Sequence, residues 1–315
     1  MQRVLMILTS HRLDCFQLNM EMLKAKGNLA QFDKVVLMLN GVVGDHLDFV
    51  NRFMEDNPDI SWDTIAGPRG KGPLVAGLQN QCVERYPDSL YFKIDEDVYM
   101  PTGWVDRMTS AYDQWKDESG LGLLTPVVVN NSTGSYFLMK MAFPELAEEY
   151  KTKFDKELTE QVDGPVWRFP QIAEWLTRNF LDIDEANERL TSALTAQSLD
   201  PYQKFAHRFS INNLVYDYQH WKDMGGIPDD EEPAWCQWVI DQGKFNILVR
   251  NTLLHHYSFF VQNDWLDRTS LLEDIRCVNL PDTLQKGTSA YNLPRWKRTA
   301  KQIPGKIVAR FSKSS

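Results

Sequence analysis

The sequence predicts an α/β protein built on a mostly parallel sheet flanked by helices. Three observations carry this reading. Short continuous apolar runs at 4–8, 35–39 and 90–94 are separated by stretches with helical spacing of apolar residues. Such runs, bounded by helices, mark strands buried on both faces. The composition is that of a globular chain: 43% hydrophobic and 24% charged residues, with scattered glycine and only four cysteines. That excludes disordered, collagen-like and disulfide-framework classes. The length of 315 residues gives ample core without staples.

Residues 4–8 form a first strand; the apolar run is too short for a signal peptide and leads into polar Thr9-Ser10-His11-Arg12. Asp14 is placed to cap a helix carrying Phe16, Met20 and Leu23, closed by Gly27. Residues 35–39 form a second strand ending at Asn40-Gly41, and a helix runs through Leu47, Val50 and Phe53. Residues 60–65 form a third strand, closed by Gly67-Pro68. Pro73 opens a helix that reaches Tyr86, since proline suits the first helical position. Residues 90–94 are a fourth strand running into Asp95-Glu96-Asp97.

From about 143 to 207 the chain is charged, helix-prone and rich in aromatics, which reads as an inserted helical subdomain. Next come a strand over 209–216 and a short helix to Gly225-Gly226. The acids Asp229-Asp230-Glu231-Glu232 precede a helix from Pro233 to Gly243 and a last strand over 245–254, ending in His255-His256-Tyr257. The domain plan is one domain over 1–282, with the insertion at about 143–207, and a tail over 283–315.

Charge is unevenly spread. The formal net charge is −9, but the tail holds eight Lys and Arg and no acid, leaving −17 for the rest. An acidic body argues against nucleic acid as partner. The tail, with Trp296, Ile307, Val308 and Phe311 among its charges, suits an anionic membrane face or a return onto the body. Cys15, Cys82, Cys236 and Cys277 form no C-x-x-C pair and read as reduced, mostly buried thiols of a cytoplasmic protein.

Four groups carry chemistry. If strand geometry continues, Asp95 and Asp97 share one face at a strand's carboxyl end, where two carboxylates can hold Mg²⁺ or Mn²⁺ against a diphosphate. Gly67-Pro-Arg69-Gly-Lys71-Gly72 puts two cations on a glycine-rich turn before a helix, suited to phosphate oxygens. The acids 229–232 exceed what helix capping needs, and one can serve as general base. His255 and His256 offer imidazole ligands. Each has a bland reading: an acidic turn, a Gly-Pro turn, helix-capping acids, a polar strand end. Their order along the chain is the demanding feature.

In that order the sequence resembles the GT-A glycosyltransferases, most closely their inverting family 2-like group, over roughly 3–130 and 205–262. Thr9-Ser-His-Arg12 resembles the nucleotide-side end of the first strand, and Asp95-Glu-Asp97 the metal-binding D-x-D. Pro101-Thr-Gly103-Trp104 resembles the segment that usually comes just after the D-x-D. Met224-Gly-Gly226 resembles the glycine pair, Glu231-Glu232 the E-D pair, and His256-Tyr257 the H-Y pair. Asn40 stands where the family often has Asp against the nucleotide base. The insertion 143–207 matches no part of the family pattern.

The resemblance implies a metal-dependent transferase moving a sugar from a nucleoside diphosphate sugar to a hydroxyl of a saccharide or lipid-linked acceptor, with inversion. It implies Mn²⁺ or Mg²⁺ on Asp95, Asp97 and His256, with His255 adjacent. Glu232 is the implied base, with Glu231 and Asp230 as alternatives. Thr9, Arg12, Asn40, Arg69, Lys71 and Asp95 are expected on the donor. Aromatics of the insertion and Trp235 or Trp238 can stack on sugar rings, although core packing suits the two Trp better. The competing classes are a retaining GT-A enzyme, a nucleotide-sugar nucleotidyltransferase and a non-catalytic carbohydrate-binding relative.

Overall fold

The computed structural model describes residues 1–207 and 209–281. The basic tail, and with it the proposed membrane contact, lies outside the described residues. The strands are β1 (Gln2–Thr9), β2 (Lys34–Asn40), β3 (Trp62–Gly67), β4 (Ser89–Asp95), β5 (Val98–Tyr99), β6 (Leu121–Val128), β7 (Tyr202–Phe205), β8 (Asn213–Asp217) and β9 (Phe245–His256). The helices are α1 (Leu13–Ala25), α2 (Asp45–Glu55), α3 (Pro73–Arg85), α4 (Trp104–Trp115), α5 (Ser132–Phe137), α6 (Pro144–Phe154), α7 (Pro165–Arg168), α8 (Pro170–Asn179), α9 (Ile183–Ala196), α10 (Tyr218–Met224), α11 (Glu231–Asp241), α12 (Asn263–Leu266) and α13 (Leu271–Asn279). A π-helical turn, Leu138–Ala142, joins α5 to α6.

The strands form one nine-stranded sheet in the order β3-β2-β1-β4-β8-β6-β9-β5, with β7 paired along β9. The pairs β3/β2, β2/β1, β1/β4 and β6/β9 are parallel. Strand β8 is antiparallel to both β4 and β6 and bridges the two parallel halves. The chain adopts the expected α/β class with a helix-flanked sheet; with β5 and β7 antiparallel to β9, four of the eight strand pairings among the described residues are parallel and four antiparallel.

Alternation along the strands splits the core in two. In β1, Val4 and Met6 enter one apolar layer, and Leu5 and Ile7 the other. In β4, Phe92 and Ile94 face the second layer and Tyr91 the first. Lys93 and Asp95, two and four residues beyond Tyr91, therefore share the first layer's side. Helices α8 and α9 pack into that layer through Ile172, Leu176, Ile183 and Leu190. The insertion is thus continuous with the main core. Tyr150, Trp175 and Phe180 are buried there and serve packing, not sugar stacking. Its last stretch is a strand, β7, held by pairing to β9 rather than by helical propensity.

Local differences have local causes. Helix α1 begins at Leu13 with Arg12 at its cap position, and Asp14 binds the Cys15 amide from inside the first turn. Helix α11 begins two residues before Pro233, at Glu231. Strand β4 ends at Asp95, so Glu96 and Asp97 lie in a turn and the alternation assumed for Asp95 and Asp97 does not continue. Cys15, Cys82 and Cys236 are buried, whereas Cys277 is exposed.

Candidate functional site

The carboxyl ends of β1, β2, β3 and β4 converge on one edge, where parallel sheets offer their ligand crevice. The end of β9 reaches the same edge, because β5 pairs Val98 with His256 just after the acidic turn. This pairing sets Asp97 Oδ1 3.4 Å from His256 Nε2. Both are nearly sealed, at 8% and 6% exposure. Burial works against the ionised Asp97, yet the His256 imidazole and then Arg12 hold its pKa below the usual carboxylate value. For His256, burial favours the neutral ring, but Asp97 outweighs it and raises the pKa. The other ring nitrogen, Nδ1, is buried with no hydrogen-bond partner among the described residues.

His255 faces away. Strand alternation sends it to the other side, where Nε2 lies 2.6 Å from the Phe180 carbonyl and burial holds its pKa down at about 4. It anchors the insertion and is not part of the Asp97 group.

Asp95 is bound by Lys93 Nζ at 2.6 Å, and the same ammonium donates to the Ile211 carbonyl at 2.6 Å. Lys93 is 1% exposed, so this network is what makes a buried ammonium tolerable. Burial raises the Asp95 pKa even though Lys93 opposes the shift. Asp95 is thereby committed to Lys93, and among the described residues no trio of His, Cys, Asp and Glu is gathered as a metal cage. Asp97 nevertheless offers the carboxylate oxygen that Mn²⁺ and Mg²⁺ prefer, and His256 an imidazole nitrogen beside it. A hard divalent ion on a diphosphate commonly takes only one or two carboxylates from protein and the rest from phosphate and water. The donor set fits such an ion through Asp97 and His256, with Asp95 beside it.

The acids of α11 approach from the Lys93 side. Glu231 Oε1 accepts from Gln79 Nε2 at 2.7 Å. Burial raises its pKa, with Lys93 pulling it down and Asp95 pushing it up, so its charge is felt across the Lys93–Asp95 pair. Its backbone φ is +27°, a left-handed value that is strained for a side-chain-bearing residue. Glu232 Oε2 lies 3.5 Å from the Ile211 amide, on the segment that also receives Lys93. Asp230 is exposed and makes no side-chain capping bond.

The glycine-rich turn 67–72 closes over the same edge. Asn40 grips Gly70 from both ends of its amide, accepting from the Gly70 amide at 2.8 Å and donating to its carbonyl at 2.9 Å. Asn40 thus works as the clamp of this turn. Gly41, at φ +69°, has Arg69 so close that a Cβ would lie 2.2 Å from Arg69 Cβ, and at Gly72 a Cβ would meet the Asp229 carbonyl at 2.9 Å. The two glycines seat the turn between the end of β2 and the acidic cluster. Arg69 and Lys71 are both exposed. The Arg69 charge reaches His11, whose pKa is lowered by burial first and by Arg69 next.

Thr9 and Arg12 are built into the wall. Thr9 Oγ1 donates to Glu96 and lies 2.9 Å from His46 Nε2. Arg12 is buried and extends to Asp267 at 2.8 Å, Asn263 at 3.2 Å and Ser258 at 3.4 Å, with its guanidinium 5.3 Å from the Tyr257 ring centre. Trp235 is core, donating to His220 Nε2 at 3.0 Å. Sequence reasoning missed Lys93 as the partner of Asp95, and it missed Gln79. A lysine inside an otherwise apolar strand run was the available signal for the first.

No protein-family model and no curated protein sequence matches the chain. Solved structures with a similar course include the mannosyltransferase PcManGT from Pyrobaculum calidifontis in complex with GDP-Man and Mn²⁺, at 13% identity and a TM-score of 0.49, over 100% of this chain and 76% of that one. GalNAc-T7 with UDP, GalNAc and Mn²⁺ is similar at 9% identity and a TM-score of 0.48, over 90% of this chain and 50% of that one. The chain therefore spans about half of GalNAc-T7. S. aureus TarS matches over 41% of this chain and 22% of that one, at 14% identity and a TM-score of 0.33. At these values the likeness does not reach the level of individual residues.

Proposed function

We propose that the protein is a metal-dependent glycosyltransferase that moves a sugar from a nucleoside diphosphate sugar to an acceptor hydroxyl, with inversion. The observation that carries this reading is the Asp97–His256 pair at the strand ends, flanked by Asp95 and by the carboxylates of Glu231 and Glu232. The order of these motifs along the chain, which resembles that of the GT-A enzymes, supports it.

In this reading Asp97 and His256 hold Mn²⁺ or Mg²⁺, with Asp95 adjacent. Such an ion, when bound, offsets the charge that grows on the diphosphate leaving group. Arg69 and Lys71 meet phosphate oxygens from the exposed turn, and Asn40 keeps that turn in place. Glu231 takes the proton from the acceptor hydroxyl as the oxygen attacks. Burial raises its pKa above the usual glutamate value, which strengthens it as a proton acceptor, and Gln79 holds its carboxylate in place. Glu232, the base implied by the sequence resemblance, is the second candidate, and the exposed Asp230 the third.

The acceptor class we propose is a saccharide or a lipid-linked hydroxyl. Among the described residues no helix is long and apolar enough to cross a membrane. A peripheral contact through the basic tail would show as liposome binding lost on deleting 295–315. The reading as a whole is tested by a thermal-shift panel of nucleoside diphosphates and nucleotide sugars with and without Mn²⁺. A ligand of the folded state raises Tm by mass action. One nucleotide raising Tm in the presence of Mn²⁺ supports the reading, and a flat panel contradicts it. Release of pyrophosphate instead of nucleoside diphosphate would turn it into a nucleotidyltransferase.

A further inference from the structure

Glu96 stands between Asp95 and Asp97, yet its carboxylate points away from both and back under the loop after β1. Oε2 accepts from Thr9 Oγ1 at 2.7 Å and from the Ser10 amide at 2.8 Å. Oε1 accepts from the amides of His11 and Arg12, at 3.3 Å and 3.2 Å. The residue is 7% exposed. Successive backbone N–H groups converging on one anion form a nest, here filled by the protein's own side chain. The last residue of the loop, Arg12, carries this constraint across to Asn263 and Asp267, beyond the end of β9. One carboxylate therefore ties the acidic turn, the β1 loop and, through Arg12, the segment after His256.

We infer that Glu96 is a positioning residue for the donor: it moulds residues 9–12 and holds them in register with the Asp97–His256 pair, so that a nucleoside diphosphate meets a preformed wall. The inference rests on the nucleotide-sugar reading and deepens it. A carboxylate is required by acceptor count. Four donors converge on two oxygens, each of which can take two. A glutamine of the same size has one oxygen, and its NH₂ would face N–H or O–H donors. An aspartate keeps both oxygens but is shorter by one methylene. Preorganised contacts of this kind lower the ordering cost of binding.

The test compares the full chain with its Glu96→Gln and Glu96→Asp variants. It measures amide hydrogen exchange over 9–12, Kd for UDP and GDP with Mn²⁺, and KM and kcat for the donor that the unaltered protein uses. Glu96→Gln is expected to speed exchange at Ser10, His11 and Arg12, and to raise Kd and donor KM about tenfold with a smaller fall in kcat at saturation. Glu96→Asp is expected to lie between it and the unaltered protein on both readouts. Should Glu96→Gln fail to fold, the Asp variant carries the same comparison. Unchanged exchange, or faster exchange with unaltered Kd and KM, overturns the inference and leaves the functional reading intact. If the unaltered protein binds neither nucleotide, both fall together.

Discussion

The Asp97 carboxylate lies 3.4 Å from His256 Nε2, joining the turn after β4 to the last residue of β9. The contact depends on the short strand β5, which lies antiparallel on the end of β9 and brings two distant parts of the chain into register. Replacing either partner should remove the ion site without unfolding the sheet. Asp97→Ala is expected to lower turnover by at least about 10²-fold, in the range seen for loss of one electrostatic stabiliser. Steady-state assays with a circular dichroism control check this, and normal turnover in Asp97→Ala would remove the metal assignment.

Glu231 and Glu232 separate by substitution. Glu231→Gln should lower turnover by about 10²- to 10⁴-fold, as expected for loss of a general base, while donor Kd stays near normal. Glu232→Gln should cost less. The reverse ranking moves the base to Glu232.

These two predictions mark where the sequence was legible. The order of acidic turn, acidic helix start and strand-end histidine was readable because chain order needs no tertiary knowledge. The parallel strands were readable from their continuous apolar runs. The choice between neighbours was not. His255 and His256 differ only in which side of β9 they face, and β5 and the Phe180 carbonyl decide that. The surroundings of Glu231 are set by Gln79 and Lys93, which lie far off in sequence. That Asn40, expected on the donor, also clamps Gly70, a partner thirty residues away, could not be read from the sequence. Helices α6 and α8 were visible as charged, helix-prone sequence, but their continuity with the sheet's core was not.

Lys93 should be a stability residue whose loss is felt through Asp95. Lys93→Met leaves the partly exposed Asp95 without its cation and should cost about 1 to 3 kcal/mol, the scale for leaving a polar group unsatisfied. The double variant Lys93→Met with Asp95→Asn should recover part of that. Urea unfolding measures both, and a neutral single variant would contradict the network.

His220 gives a pH signature away from the site. Burial, aided by Lys244, lowers its pKa to about 4, and its Nε2 accepts from Trp235. A histidine kept neutral in the fold binds its proton in the unfolded chain first. The folded state therefore loses stability as pH falls from about 6.5 toward 4, and the loss is complete below that. At pH 5 this amounts to about 2 kcal/mol. His220→Gln removes the effect, so the stability gap between it and the unaltered protein should shift by that amount between pH 7 and pH 5. A constant gap would contradict the buried neutral ring.

Calorimetric titration of UDP and GDP tests the central claim most directly, run with and without Mn²⁺ on the unaltered protein and on Asp97→Ala. One of the two nucleotides should bind more tightly with Mn²⁺, by about tenfold or more, and Asp97→Ala should abolish that gain. Nucleotide affinity indifferent to Mn²⁺, or a gain that survives in Asp97→Ala, would contradict a metal-assisted transferase centred on Asp97 and His256.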